Sequence, residues 1–230
     1  MFNLLRAECY KLFHSRCFWG IAAFALCLSS VLLADSVGQT SSLFFASLYN
    51  VPVLYFLAII FCALFVGDDF ACRTLSAYVS AGHSRSQILF AKLVVCQLAC
   101  MAILALPLLA HGWAGSLFLK EAFAGGGPGT VAVVAASLLA MCLLPFFFAF
   151  WFRDTGKAMA VPMMLFFLMI FWMNGDKARL VSQILPMGQL RLTALQQDAL
   201  PAARFVLTDC IWIFLLSMGA YGGFRRADLK

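Results

Sequence analysis

Long apolar runs separated by short polar segments dominate the pattern of this 230-residue chain. Six runs contain no lysine or arginine, and they cover 18–34, 51–66, 93–109, 131–152, 158–173 and 205–221. A helix that crosses a bilayer needs about 20 residues, so the shorter runs predict helices that extend into their flanks. The pattern therefore predicts an all-α integral membrane protein with six transmembrane helices, in one transmembrane domain over 1–230.

Acidic side chains are nearly absent from these runs. The first five have none, and the sixth holds Asp209, whose place one turn from the start of the run predicts a position near the membrane interface. Gln97 is the main polar side chain inside a run. Ion-coupled transporters need ionisable groups at membrane depth, so any transport by this protein is expected to draw its energy from elsewhere.

Composition supports the same fold class. Hydrophobic residues make up 64% of the chain and charged residues 11%, whereas soluble domains have about 45–50% and about 25%. This excludes a soluble globular domain and a disordered chain. The net charge is +6, and the charged residues lie beside the apolar runs. This arrangement favours contact with anionic membrane lipid over binding of nucleic acid.

The distribution of lysine and arginine predicts the orientation. The flanks 1–17, 67–92, 153–157 and 222–230 hold eleven of these residues, and the other flanks hold five. Positive residues concentrate on the cytoplasmic side of a membrane. The count predicts a multi-pass membrane protein with both termini in the cytoplasm.

Three segments outside the runs have helical patterns of their own. In 1–17, apolar residues recur on one helical face, with Glu8 and Lys11 largely on the other, which predicts an amphipathic interfacial helix; a simple charged flank is the alternative. The apolar face contains Phe2, Leu5, Cys9, Leu12 and Phe13. In the outer loop 174–204, two short amphipathic helices are predicted on either side of Pro186, lying on or dipping into the outer leaflet.

The cytoplasmic loop 68–86 predicts a short helix held between the second and third spans. Asp68 or Asp69 is a candidate cap for a helix that starts near Phe70. Gly82 is a candidate left-handed terminator. Ser84 with a glutamine three residues later forms a capping-box pattern that opens the third span.

No catalytic or metal-binding pattern accompanies these segments. The sequence has no zinc-protease, serine-hydrolase or Walker A motif. Its nine cysteines form no C-x-x-C pair and have no histidine at metal-ligand spacing. No metal site, no cofactor in this chain and no enzymatic activity of the chain alone are predicted.

The loop and the two ends of the chain resemble a known family, the membrane subunit (permease) of type-2 ATP-binding-cassette (ABC) exporters, which includes lantibiotic-immunity and multidrug-efflux subunits. The start of the chain is similar to the Glu-x-x-Lys helix that opens members of the family. The loop after the second span is similar to the family's loop motif, which has in order an acidic residue, Gly-Thr-Leu or Arg-Thr-Leu, a turn of small residues, an Arg and a Lys. The end of the chain is also similar. The matching residues are Glu8 and Lys11; Asp69, Arg73, Thr74, Leu75, Arg85 and Lys92; and Phe224 to Leu229. Asp69 replaces the commoner Glu, and the Pro often found before the Ser-Arg pair is absent.

This resemblance implies that 69–85 forms a coupling helix that docks on a separate cytoplasmic ABC ATPase, with the N-terminal helix completing the interface. The implied coupling residues are Asp68, Asp69, Phe70, Arg73, Thr74, Leu75 and Arg85, and the implied interfacial residues are Glu8 and Lys11. The working unit would contain two permease chains, identical or paired with a sister, and two ATPase subunits that hold the ATP and magnesium.

The implied function is export of an amphipathic peptide of the lantibiotic or bacteriocin kind, or of a hydrophobic compound, from the membrane. The alternative is a membrane anchor or assembly protein that transports nothing. In that case, the charged residues of the loop are only helix caps and lipid contacts.

Overall fold

Ten α helices and no strand form the part of the chain that the computed structural model describes, which comprises residues 2–36, 40, 42–120, 127–175, 178–196 and 202–225. The helices are α1 (Phe2–His14), α2 (Arg16–Ser36), α3 (Leu43–Ala71), α4 (Thr74–Ser80), α5 (Arg85–Phe118), α6 (Gly127–Phe152), α7 (Thr155–Met173), α8 (Ala178–Ile184), α9 (Pro186–Ala194) and α10 (Ala202–Arg225).

Six of these helices (α2, α3, α5, α6, α7 and α10) are long and apolar enough to cross a membrane. Each contains one predicted run and extends beyond it, as expected because the shorter runs are too short to cross a bilayer. The prediction of an all-α membrane protein with six spanning helices is confirmed in this coarse form. The last residues of the C-terminal motif, 226–229, lie outside the described part of the chain.

Helix α3 lies at the centre of the bundle. It packs against α2, α5, α6, α7 and α9, and most of its side chains are buried, including Tyr55, whose hydroxyl donates to the carbonyl oxygen of Met141 at 2.7 Å. Helices α2, α7 and α10 lie at the periphery, where few of their residues are fully buried. A bilayer supplies the apolar solvent that such a surface needs.

Successive spans alternate in direction, so the bundle has two ends. We call one end proximal; it contains the start of α2, α5 and α7 and the end of α3, α6 and α10. Contacts of Phe150 with Phe70 and with Phe224 join the ends of α6, α3 and α10 there. We call the other end distal; there Asn50 donates to Ser36 Oγ at 2.8 Å and His111 lies 3.1 Å from Ser30 Oγ and Ser47 Oγ.

The predicted N-terminal helix is present as α1, but its buried face differs from the predicted one. Glu8, assigned to the polar face, is only 1% exposed, whereas Phe2 and Phe13 are 88% and 60% exposed. Leu4, Glu8 and Leu12 point into the protein. The prediction of the face is wrong because Glu8 meets a buried lysine of α5, so the carboxylate turns inward.

The predicted short helix between the second and third spans is present as α4, but it starts later. Helix α3 continues through Asp68 and Asp69 to Ala71, so neither aspartate caps a helix that begins near Phe70. The chain turns at Arg73, which has a left-handed backbone, with a φ of 56°. The predicted turn at Gly82 (φ 87°) and the capping box of Ser84 with Gln87 are confirmed.

The two short helices predicted around Pro186 are present as α8 and α9 and form a hairpin. Trp212 Nε1 donates to the carbonyl oxygen of Ile184 at the hairpin tip, at 3.0 Å. Trp212 is the eleventh residue of α10, about 15 Å from its distal start. Pro186 and Met187 line a small space together with Tyr55 of α3. The hairpin therefore dips into the bundle between α3, α6 and α10.

Asp209, which is predicted to lie near the membrane interface, is fully buried within the protein. It lies about 10 Å along α10, where Ser137 of α6 donates to its Oδ2 at 2.6 Å. Gln189 of α9 lies 3.4 Å from the same serine hydroxyl. The hairpin of α8 and α9 covers this position, which the sequence pattern of α10 alone leaves open to the surface.

Candidate functional site

Four charged side chains from three helices meet near the proximal end. Lys92 Nζ of α5 lies 2.5 Å from Glu8 Oε2 of α1 and also contacts Asp69 Oδ2 of α3. Asp69 Oδ1 accepts from Lys11 Nζ of α1 at 2.6 Å. We call Glu8, Lys11, Asp69 and Lys92 the ionic cluster. It carries two positive and two negative groups, so it has no net charge.

The ionic cluster is buried apart from Lys11. Glu8, Asp69 and Lys92 are each 1% exposed. The ring of Phe65 adds an apolar wall, with its centroid 4.8 Å from Lys11 Nζ and 5.1 Å from Lys92 Nζ, distances at which a cation is attracted to the ring. Removal of one partner from a buried ion pair costs about 3–5 kcal/mol, since it leaves a buried charge without compensation. The cluster therefore fastens α1 to α3 and α5.

Helix α4 places Tyr78 beside the ionic cluster. Burial, with the nearby carboxylates of Glu8 and Asp69 acting in the same direction, raises the pKa of Tyr78 to about 12. The phenol is therefore neutral at physiological pH. It lies near the two carboxylates without adding a third negative charge.

One face of α4 is anchored and the other is free of described contacts with the bundle. Leu75 is buried, and Tyr78 and Val79 pack against the core. The exposed positions that follow at helical spacing are Ala77 and Ser80, preceded by exposed Arg73. A helix with small exposed residues permits close approach of a second surface.

The left-handed backbone at Arg73 separates α3 from α4. Residues with a Cβ pay about 1–2 kcal/mol for this conformation, and glycine does not. The side chain of Arg73 is exposed and makes no capping hydrogen bond. The turn therefore depends on the backbone and not on the guanidinium.

We expect Arg73→Gly to leave the free energy of unfolding unchanged or to raise it by up to about 1 kcal/mol, and Arg73→Val to lower it by about 1–2 kcal/mol. Both variants lose the same charge, so their difference reports the backbone alone. Chemical unfolding in detergent micelles measures both. Equal stability of the two variants would show that the left-handed turn is not required.

Arg85 lies away from the ionic cluster and contacts α10. Its Nη1 donates to the carbonyl oxygens of Phe224 at 3.3 Å and Arg225 at 3.0 Å. These carbonyls end a helix, where a cation is favourable. The guanidinium joins the first turn of α5 to the last turn of α10.

The predicted site residues therefore separate into three groups. Glu8, Lys11 and Asp69 come together in the ionic cluster. Leu75 and Phe70 pack into the core, Phe70 against the ring of Phe150 at 5.5 Å. Asp68 and Arg73 are exposed, Thr74 is half-buried, and Arg85 binds the end of α10.

Lys92 is the central residue of the ionic cluster, although it was not among the predicted site residues. The sequence contains a sign of this role, because Lys92 lies within an apolar segment. Apart from Gln97, its neighbours from Ile88 to Leu98 are all apolar. A charged residue within an apolar helix is costly unless it is paired, and it marks a functional or structural partner.

Comparisons with known proteins identify no family whose model matches this chain. No curated protein matches it significantly either.

Proposed function

We propose that this chain is the transmembrane subunit of an ATP-driven ABC exporter, with ATP hydrolysed by a separate cytoplasmic subunit that docks on α4. The exported substrate would be an amphipathic peptide of the lantibiotic or bacteriocin kind or a hydrophobic compound. The functional assembly would contain two permease chains and two ATPase subunits. The proximal end would face the cytoplasm of a bacterial cell.

The observation that carries this proposal is the link between α4 and the spans. Helix α4 buries Leu75 and presents Ala77 and Ser80 outward, and Tyr78 faces the ionic cluster. The cluster joins α1, α3 and α5 through buried ion pairs. A force applied to the exposed face of α4 would pass through packed side chains to two spanning helices, as a coupling helix requires.

The backbone at Arg73 gives independent support. The family that the chain resembles has Gly-Thr-Leu or Arg-Thr-Leu at this place, and the arginine here adopts a left-handed conformation that glycine adopts without strain. The same turn would thus be available to both forms of the motif.

A membrane anchor that transports nothing is the second candidate, and the contacts of Arg85 favour it. The Arg85 guanidinium binds the last carbonyls of α10, which is a structural role that needs no partner. The anchor proposal predicts that the exposed face of α4 tolerates bulky substitution.

The test is purification of a C-terminally tagged full chain from its native host in mild detergent, with mass spectrometry of the proteins that come with it. The exporter proposal expects a stoichiometric subunit with a Walker A loop. We expect Ala77→Trp to remove that subunit, because the indole would fill the exposed face of α4. Ala203→Trp, at an exposed alanine of the distal end, is the matched control and should retain it.

Each outcome separates the two candidates. Loss of the ATPase with Ala77→Trp and its retention with Ala203→Trp support docking on α4. A single chain without an ATPase, under conditions that preserve a known exporter complex, would favour the anchor. Retention of the ATPase with both variants would overturn α4 as the docking helix.

A further inference from the structure

The re-entrant hairpin of α8 and α9 encloses a cavity at the distal end. The two helices touch near their tip, where a Cβ on Gly188 would lie only 2.3 Å from Ser182 Cα. A cavity of about 470 Å³ lies between them on the side away from the tip. It is lined by Met173, Ala178, Arg179, Ser182, Arg191, Leu192 and Leu195.

Two arginines line this cavity from opposite helices. Arg179 lies on α8 and Arg191 lies on α9, and the remaining lining is mostly apolar. A guanidinium is a favourable partner for a carboxylate or a phosphate.

Arg191 is held in position by neutral groups. Its Nη1 donates to Asn174 Oδ1 at 3.0 Å, and its guanidinium carbon lies 5.6 Å from the centroid of the Tyr49 ring. Among the described residues no carboxylate forms an ion pair with it. A guanidinium has five N–H donors, so most of them are available to a ligand.

A second cavity lies between Arg191 and α3. It has a volume of about 190 Å³, shares Arg191 and Met173 with the first cavity and is lined further by Pro52, Val53 and Ile170. The first cavity alone falls within the range of about 300–1,000 Å³ that small-molecule sites occupy. A charged group at Arg191 and an alkyl chain along Met173 and Val53 would use both spaces.

We propose that this cavity binds an anionic amphiphile, in which a carboxylate or phosphate contacts Arg191 in the part of the cavity that Arg179 also lines, and an alkyl chain lies along the apolar lining. The cavity lies at the end of the bundle opposite α4. The proposal that it binds a ligand does not depend on whether an ATPase docks on α4. A membrane lipid headgroup and a water-soluble amphiphile share this chemistry.

The test uses the purified full chain in an uncharged detergent, with dansyl-labelled undecanoic acid as the fluorescent probe and its methyl ester as the uncharged analogue. The acid is expected to bind saturably and the ester at least about tenfold more weakly. Arg191→Gln keeps a donor for Asn174 but removes the charge, and it should weaken binding of the acid about tenfold or more. Arg204→Gln, at an exposed arginine of α10 outside the cavity, is the matched control and should bind as the native chain does.

Displacement identifies the source of the ligand. Displacement of the probe by short-chain phosphatidylglycerol but not by inorganic phosphate would assign the site to a lipid, and displacement by phosphate would assign it to a soluble anion. Equal binding of acid and ester, equal displacement by phosphatidylcholine, or equal effects of Arg191→Gln and Arg204→Gln would overturn the proposal. Arg179→Gln provides a second measurement on an exposed residue if Arg191→Gln fails to fold.

Discussion

Replacement of Lys92 by methionine is expected to lower the free energy of unfolding by about 3–5 kcal/mol. Methionine fills a similar volume, so the loss reports the charge and not a cavity. Without Lys92, Asp69 keeps Lys11 as a partner, but Glu8 remains buried with no described cation beside it. Unfolding by increasing denaturing detergent in mixed micelles measures the change.

A second substitution separates charge from packing. Glu8→Gln in the Lys92→Met background removes the uncompensated carboxylate, and we expect it to recover a substantial part of the loss. Lys157→Met, at an exposed lysine near the start of α7, is the control for loss of a surface charge and should change stability by less than about 1 kcal/mol. If Lys92→Met costs no more than Lys157→Met, the ionic cluster does not fasten the three helices.

Substitution of Gly188 by alanine is expected to lower the free energy of unfolding by about 2–3 kcal/mol. The added Cβ would meet the backbone of Ser182, which cannot rotate away, so α8 and α9 must separate. Gly222→Ala is the matched control, since a Cβ there has nothing within 4 Å. The control should raise stability by about 0.5–1 kcal/mol, because alanine favours a helix more than glycine does.

A cysteine at position 182 reports the opening of the hairpin directly. Ser182 is 5% exposed, so Ser182→Cys should react slowly with a water-soluble maleimide once the exposed native cysteines Cys17, Cys27, Cys72 and Cys210 have been replaced by serine. The reaction should accelerate when Gly188→Ala is added and not when Gly222→Ala is added. Slow labelling together with unchanged stability in the Gly188→Ala protein would contradict the close contact of the two helices.

The spanning helices were predictable because the bilayer imposes a length and a composition on them. Each apolar run therefore marked one helix, and only the ends differed. The turn at Gly82 and the capping box at Ser84 were also predictable, since each depends on residues within one helical turn. The residue at which α3 ends was not predictable, because the last turn of this helix is held by ion pairs of Asp69 with residues far away in the chain.

The candidate site shows the same division between local and distant causes. The pattern of 1–17 correctly predicted a helix but not its buried face, because a sequence pattern places charged residues in water unless their partners are known. The partner of Glu8 is 84 residues away. The short helices around Pro186 were likewise predictable, but their depth in the bundle depends on the contact of Gly188 with Ser182 and on the indole of Trp212.

The ionic cluster and the contact of Arg85 also impose an order on biogenesis. Lys92 lies near the start of the third spanning helix, so Glu8 and Asp69 are made before the residue that bridges them. Arg85 reaches carbonyls about 140 residues later, at the end of the last spanning helix. A nascent chain can therefore close the first fastening only when the start of its third spanning helix has been made, and the second only when the end of its sixth has been made. The two contacts would thus mark successive stages of assembly during translation.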